Sequence, residues 1–197
     1  MSLENLISDP SPLQVSFEFS PPRTDEAEAR LWEAIRRLEP LQPSFVSVTY
    51  GAGGTTRERT HHTVRRIVEE TSLKPAAHLT CVGHAKGEID DIVRGYWDAG
   101  IRHIVALRGD MPGMTGAYQA HADGYKSTPE LIAGIRKIGD FEVSVSCYPE
   151  RHPDSPSHGH DIRLLKEKMD AGATRALGQF CFDNDLTARF RDDAVAA

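Results

Sequence analysis

The sequence predicts an α/β fold of parallel strands and alternating helices, of the eight-stranded (β/α)8 TIM-barrel type. Three observations lead to this prediction. Strand-like and helix-like patterns alternate, successive strand ends recur at intervals of roughly thirty residues, and most strands carry polar groups on one face. Since six strands can be counted, we expect about six of the eight βα units of a barrel. An open doubly wound sheet is the alternative.

Each predicted strand is a short apolar run bounded by turn residues, and each is followed by a helix start signal. The strands are predicted at residues 14–20, 45–49, 76–81, 103–107, 143–148 and 175–181. Caps at Thr24-Asp25, Thr55 or Thr56, Asp161 and Asp183 predict four helices, and Thr128-Pro129 and residues 87–99 predict two more.

Polar residues on one strand face favour the barrel, because the strands of open parallel sheets are usually apolar on both faces. In the first strand, Ser16, Glu18 and Ser20 alternate with Phe17 and Phe19. The second, third and fifth strands repeat the pattern. The polar face suits a lumen that opens into a site at the carboxyl ends of the strands.

Two carboxylates indicate where that site lies. Glu18 is within the first strand, and Asp110 follows the run VALRG at the end of the fourth. An isolated charge is costly to bury, so one shared polar cavity accounts for both most simply. A purely structural role is the alternative for each residue: Glu18 could pair with Arg23 or Arg108, and Asp110 could cap a loop or helix.

Composition restricts the class of protein. The net charge of −6 argues against general nucleic-acid binding, which favours a basic face. No apolar run is long enough to span a membrane, and the first twelve residues lack the features of a signal peptide. Cys81, Cys147 and Cys181 are far apart and are expected to be buried, reduced thiols of a cytoplasmic protein.

Six stretches, in order, resemble the methylenetetrahydrofolate reductase family. They are SFEFSPPR (16–23), VTYGA (48–52), AHLTC (77–81), ALRGD (106–110), YPERH (148–152), and DAGA (170–173) followed by QFCFD (179–183). The resemblance implies a (β/α)8 barrel with noncovalent FAD. It also implies NADH or NADPH as reductant and reduction of 5,10-methylenetetrahydrofolate to 5-methyltetrahydrofolate.

The resemblance also implies roles for individual residues. Glu18 would be the catalytic acid, Asp110 would act in catalysis beside flavin and folate, and Gln179 would contact the substrate. Glu18 lies between Phe17 and Phe19 in the sequence, and a dry lumen could keep its carboxyl protonated, so that it can donate a proton to the folate. The implied cofactor-binding positions are Thr49, Tyr50, Ala52, His78, Arg108, Gly109, Asp110, Tyr125, Lys126, Tyr148, His152, Asp161 and Lys168.

Residues 1–13 are expected to be an N-terminal extension, and residues 14–197 the partial barrel that carries the reductase domain. Two alternative functions are compatible with the sequence. One is a truncated, non-catalytic fragment of the reductase. The second is a metal-dependent barrel hydrolase, for which His152, His158 and His160 are candidate ligands. Because prolines lie between these histidines and a convincing fourth ligand is lacking, no metal is expected. The hydrolase ranks last, since the first strand lacks the paired histidines that such enzymes usually carry. A homo-oligomer is compatible with the sequence, and no nucleic-acid or membrane partner is expected.

Overall fold

The structure is a computed structural model that describes residues 14–50, 57–111 and 119–197. The strands are β1 (Ser16–Phe19), β2 (Phe45–Val48), β3 (Pro75–Thr80), β4 (His103–Leu107), β5 (Glu142–Cys147) and β6 (Arg175–Gly178). The helices are α1 (Asp25–Leu38), α2 (Arg57–Glu70), α3 (Lys86–Asp98), α4 (Thr128–Ile138), α5 (His158–Asp170) and α6 (Asn184–Ala196). A 3-10 turn, Glu39–Leu41, follows α1. The predicted N-terminal extension and Ala52 lie outside the described residues.

The six strands form one parallel sheet in the order β1-β2-β3-β4-β5-β6. Each strand pairs with the next one along the chain, from the β1–β2 pair to the β5–β6 pair. A doubly wound sheet would reverse its order at a switch point, and the described strands contain no such reversal. The curled sheet with its helices confirms the prediction of a partial TIM-type barrel.

The two faces of the sheet have different chemistry. Val46, Leu79, Ile104 and Val143 are fully buried in the main core, to which the helices contribute residues such as Ile89 of α3. The other face lines the lumen and carries polar residues, among them the buried Ser47, His78 and Ser144. The predicted alternation of polar and apolar residues therefore matches the observed division between lumen and core.

Two predicted helix caps are confirmed and one is wrong, and the predicted caps Thr55 and Thr56 lie outside the described residues. The Thr24 hydroxyl accepts a hydrogen bond from the Ala27 amide at 3.2 Å, and Asp183 caps α6. Asp161 was expected to cap α5, and this prediction is wrong. Ser157 caps that helix by accepting from the His160 amide at 3.2 Å, and Asp161 lies in the first turn.

The remaining differences are small. Strand β6 ends at Gly178 rather than at residue 181, so Gln179 and Cys181 belong to the loop that follows it. All three cysteines are free thiols, and Cys81 and Cys147 are buried as expected. The expected burial of Cys181 is wrong: it is partly exposed, because β6 ends before it. Among the described helices, none has both the length and the apolar character needed to cross a bilayer.

Candidate active site

A cavity of about 230 Å³ opens at the carboxyl ends of β4 and β5, against α5. We call it the cation-lined cavity. Its wall includes Arg108, Gly109, Asp110, Tyr148, His152, Asp161 and Lys168, together with Thr128. Seven of the residues predicted to hold a cofactor therefore come together here, although the sequence places them in three separate segments.

Lys168 gives the cavity a buried positive charge. Its residue is 6% exposed, and its ammonium donates to the Ser146 carbonyl at 2.8 Å. Within the described chain, no carboxylate lies within ion-pair distance of it. Burial lowers the pKa of Lys168, while Cys147 and Asp161 act in the opposite direction. An anionic ligand would stabilise the charged ammonium, so this residue favours a ligand with negative charge.

Asp161 shapes the wall of the same cavity. Its carboxylate is buried and accepts from the His152 amide at 3.1 Å, which ties the β5–α5 loop to the helix. The His152 ring packs edge-on against Tyr148, with ring centroids 4.6 Å apart. The carboxylate therefore fixes the backbone of the loop that carries His152, while Ser157 caps α5.

The turn after β4 places the Gly109 backbone and the Arg108 guanidinium at the mouth of the cation-lined cavity. Gly109 has φ +84°, and a Cβ there would lie 2.7 Å from the Val82 side chain. Only glycine fits this turn without strain. The neighbouring Arg108 pairs with Asp154 at 3.0 Å, so the guanidinium lies over the β5–α5 loop and not beside Glu18.

Glu18 lies on the lumen face of β1 and contacts Ser47 of the adjacent β2 and His78 of β3. Its Oε2 atom is 3.4 Å from His78 Nε2 and accepts from the Ser47 hydroxyl at 3.5 Å. The His78 contact lowers the pKa of the carboxyl most, Ser47 adds to this, and partial burial acts against both. The Glu18 side chain is 60% exposed, so the dry environment expected to keep it protonated is not present in the described chain.

Gln179 follows β6 and lines a second cavity of about 440 Å³ with Tyr148, His152 and the exposed Phe180. The backbone N–H of Gln179 donates to the Cys147 carbonyl at 2.8 Å, which fixes the backbone where β6 ends. Since Tyr148 and His152 also line the cation-lined cavity, the predicted substrate contact adjoins the predicted cofactor contacts.

Five predicted cofactor contacts among the described residues lie away from these cavities, and one of them, His78, lies beside Glu18 in the lumen. The hydroxyl of Tyr125 donates to Asp90 at 2.6 Å, and the Lys126 ammonium donates to the His121 carbonyl at 2.6 Å. Thr49 and Tyr50 follow β2, where the Thr49 carbonyl accepts from the Thr60 hydroxyl. Their assignment stays a prediction without support from the described cavities.

Sequence reasoning missed two residues of the site. Ser47 was noted only as part of a polar strand face, yet the β1–β2 register places it opposite Glu18. Asp154 was not singled out, because its partner Arg108 is 46 residues away and nothing local indicates the contact. The alternation of polar residues on β2 is the signal that could have identified Ser47.

The sheet carries the cation-lined cavity beside β4 and β5 and the Glu18 carboxylate on β1. Arg108 and Lys168 suit phosphate groups, because a guanidinium and an ammonium both form charge-assisted hydrogen bonds with them. Glu18 can exchange a proton with a ligand in the lumen. Within the described residues, no group of three or more His, Cys, Asp or Glu side chains is arranged to hold a metal ion. His158, one of the candidate ligands, pairs instead with Asp193 at 2.9 Å.

A family model described as methylenetetrahydrofolate reductase matches residues 4–197. The chain belongs to the methylenetetrahydrofolate reductase family. It is 48% identical over 185 residues to the 5,10-methylenetetrahydrofolate reductases of Salmonella typhimurium (strain LT2) and Escherichia coli (strain K12). These alignments cover 94% of this chain and 60% of each relative. The chain therefore spans about 60% of the length of these relatives.

More distant similarities agree with this family and fold. A protein of Oryza sativa named probable methylenetetrahydrofolate reductase (NADH) is 34% identical, over 90% of this chain and 32% of that protein. Crystal structures of oxaloacetate acetylhydrolase and 2,3-dimethylmalate lyase superpose with TM-scores of 0.64 and 0.62 at 12% and 11% identity. They cover 97% of this chain and 66% and 65% of those chains. Similarity at this identity concerns the fold alone.

Proposed function

We propose that this chain supplies the flavin-binding and proton-donating part of a cytoplasmic methylenetetrahydrofolate reductase. The reaction is reduction of 5,10-methylenetetrahydrofolate to 5-methyltetrahydrofolate by NADH or NADPH through bound FAD. One observation carries the proposal: the same end of one sheet holds a cavity with a buried lysine and an arginine, and a lumen carboxylate on β1. Family membership supplies the choice of substrate and cofactor.

The residues of the cation-lined cavity fit the cofactor. Lys168 and Arg108 would hold its phosphates, since both cations face a wall that also offers the Thr128 hydroxyl and the backbone at Gly109. Tyr148 and His152 separate this cavity from the one beside Gln179. Bound FAD would carry the electron pair from the nicotinamide to the folate. Gln179 and Asp110 would orient the folate at the boundary of the two cavities.

Glu18 would supply the proton that the reduction requires. The methylene bridge of the substrate must open before its carbon can be reduced, and opening needs a proton on the departing ring nitrogen. Since His78 and Ser47 favour the ionised form of Glu18, the carboxyl must be protonated anew for each turnover. The exposed lumen side of β1 gives the folate access to Glu18.

The absorbance spectrum of the purified chain, before and after addition of NADH or NADPH, tests this proposal. We expect flavin bands after reconstitution with FAD, bleaching by the reductant, and recovery of the bands when 5,10-methylenetetrahydrofolate is added without oxygen. Failure to bind FAD under any reconstitution condition would contradict the proposal for this chain.

A second candidate function, a non-catalytic fragment of the enzyme, is favoured by a different observation. Glu18 and Gln179 lie on or beside β1 and β6, the two strands that pair on one side only within the described sheet. The cation-lined cavity of about 230 Å³ is also smaller than the roughly 300–1,000 Å³ of typical ligand sites. Comparing this chain with a form extended by two βα units tests it. If only the extended form is active, this chain is a non-catalytic fragment of the enzyme.

A further inference from the structure

The lumen contains a row of polar side chains that leads from Glu18 into the sheet. Glu18, Ser47 and His78 come from β1, β2 and β3, and both neighbours approach the same carboxylate oxygen, Oε2. His78 is 8% exposed, whereas the Glu18 side chain is 60% exposed. A buried imidazole therefore backs a carboxylate whose other side is open to the lumen.

We propose that His78 is a positioning residue that holds the Glu18 carboxylate in the lumen and passes a proton to it during each turnover. The proposal rests on the reductase function proposed above. The Nε2 atom of His78 is buried and makes no aligned hydrogen bond to any described residue, while Glu18 Oε2 lies 3.4 Å away. A short rotation of either side chain would complete the bond, because the distance exceeds the usual range by only a few tenths of an ångström.

The proton balance of the step is simple. A proton on His78 Nε2 moves to Glu18 Oε2, leaving a neutral imidazole and a protonated carboxyl. Glu18 then gives that proton to the folate ring nitrogen whose bond to the methylene carbon breaks. The imidazole regains a proton from solvent. A proton delivered to Oε2 in this way lets a carboxyl that is ionised at rest act as an acid when the substrate arrives.

The charges around this pair come from neighbouring strands of the same lumen. His103 of β4 interacts electrostatically with His78, and burial lowers the pKa of His103 to about 4. His103 in turn lies near Glu142 of β5, which pairs with Arg175 of β6 at 2.6 Å. Because His103 is neutral near pH 7, it places no positive charge beside His78 and Glu18.

The test is a carbon-detected NMR titration of the Glu18 carboxyl in the full chain, assigned by its loss in Glu18→Gln. We expect its midpoint to rise in His78→Gln and to rise less in Ser47→Ala. His62→Gln, which removes an exposed histidine from α2, should leave it unchanged. His78→Ala provides a second variant: added imidazole should return its Glu18 midpoint toward the wild-type value.

An unmoved Glu18 midpoint in folded His78→Gln, or no effect of imidazole on His78→Ala, would overturn the proposal. With FAD bound, His78→Gln should slow reoxidation of the flavin by 5,10-methylenetetrahydrofolate and shift the pH profile of that step. Reduction by NADH or NADPH should keep its pH profile. A chain that shows the NMR shifts without reductase activity would refute the proposed function and support the pairing. An active chain without the NMR shifts would support the proposed function and refute the pairing of His78 with Glu18.

Discussion

The cation-lined cavity and the edge strands β1 and β6 are built differently, although both lie at the same end of the sheet. The cavity is formed between neighbouring elements, β4, β5 and α5, and its polar groups are held by buried partners such as Asp161. Glu18 and Gln179 lie at the two ends of the strand order, and both are exposed. The described chain thus encloses the cation-lined cavity and leaves Glu18 and Gln179 exposed.

This difference indicates how the proposed steps divide over the molecule. Residues that would hold a cofactor depend on packing within the described chain. The residues that would act on the folate depend instead on a lumen that the six strands enclose on one side. Substitutions in the first region should change ligand affinity and stability, whereas substitutions in the second should change turnover of the folate.

The largest expected effect is that of Glu18→Gln. The change removes the proton donor and keeps the size of the side chain, so folate reduction should fall by at least about 100-fold. Reduction of bound flavin by NADH or NADPH should persist, because that step does not use this proton. Stopped-flow measurement of the two half-reactions checks this, with exposed Glu33→Gln of α1 as the matched control. Substantial folate reductase activity in Glu18→Gln would contradict the assignment.

Lys168→Met tests the other region. Removing a buried ammonium that contacts a phosphate should weaken FAD binding by roughly 10- to 100-fold, since hydrogen bonds to charged groups contribute about 1.5–3 kcal/mol. Fluorescence titration of the apoprotein with FAD measures the effect. Lys166→Met, on the same helix, is the control, because Lys166 is exposed and pairs only with Asp170 at 3.3 Å among the described residues. Equal FAD affinities in the two variants would show that Lys168 does not contribute to FAD binding.

The fold was predictable because its signals are local. Alternating polar and apolar residues in strands such as SFEF assign one face to the lumen and the other to the helices. The regular spacing then fixes the order of the units. The start of α5 was misplaced because Ser157 and Asp161 can both cap a helix, and only the tertiary contact of Asp161 with the His152 amide decides between them.

The candidate site was predictable only in part. The resemblance identified Glu18, Arg108 and Lys168, but their partners depend on the curvature of the sheet. Arg108 pairs with Asp154 and not with Glu18, and Glu18 contacts His78, two strands away. The protonation state of the Glu18 carboxyl was also not predictable from the sequence. Its neighbours in sequence, Phe17 and Phe19, suggested a dry site and a protonated carboxyl, whereas its neighbours in space, His78 and Ser47, favour the ionised form.

Gly109→Ala should have a smaller effect, on stability. The backbone at Gly109 has φ +84°, and the new methyl group would meet Val82 and Thr80. We expect a loss of about 1–3 kcal/mol in the free energy of unfolding, measured by urea denaturation. Gly95→Ala in the exposed part of α3 meets nothing within 4 Å and should stabilise the chain slightly. Equal stability of the two variants would show that the turn after β4 tolerates a side chain.

Asp154→Asn is expected to have the smallest effect, and its sign is informative. In the structure, Arg108 is paired with Asp154 at the mouth of the cation-lined cavity, so a phosphate must compete with this carboxylate for the guanidinium. The pair is partly exposed, and such pairs contribute about 0.2–1 kcal/mol. Removing the charge should therefore strengthen FAD binding by up to about fivefold.

The control for this change is Asp140→Asn, which removes the carboxylate partner of Arg136, 2.8 Å from that guanidinium and outside the cavity walls. FAD titrations at low and high salt measure both variants. The gain in Asp154→Asn should shrink as salt screens the competition, and Asp140→Asn should match the wild type throughout. Weaker binding in Asp154→Asn would mean that the carboxylate holds Arg108 in place for the ligand. The cavity mouth would then be organised in advance, like its interior around Lys168.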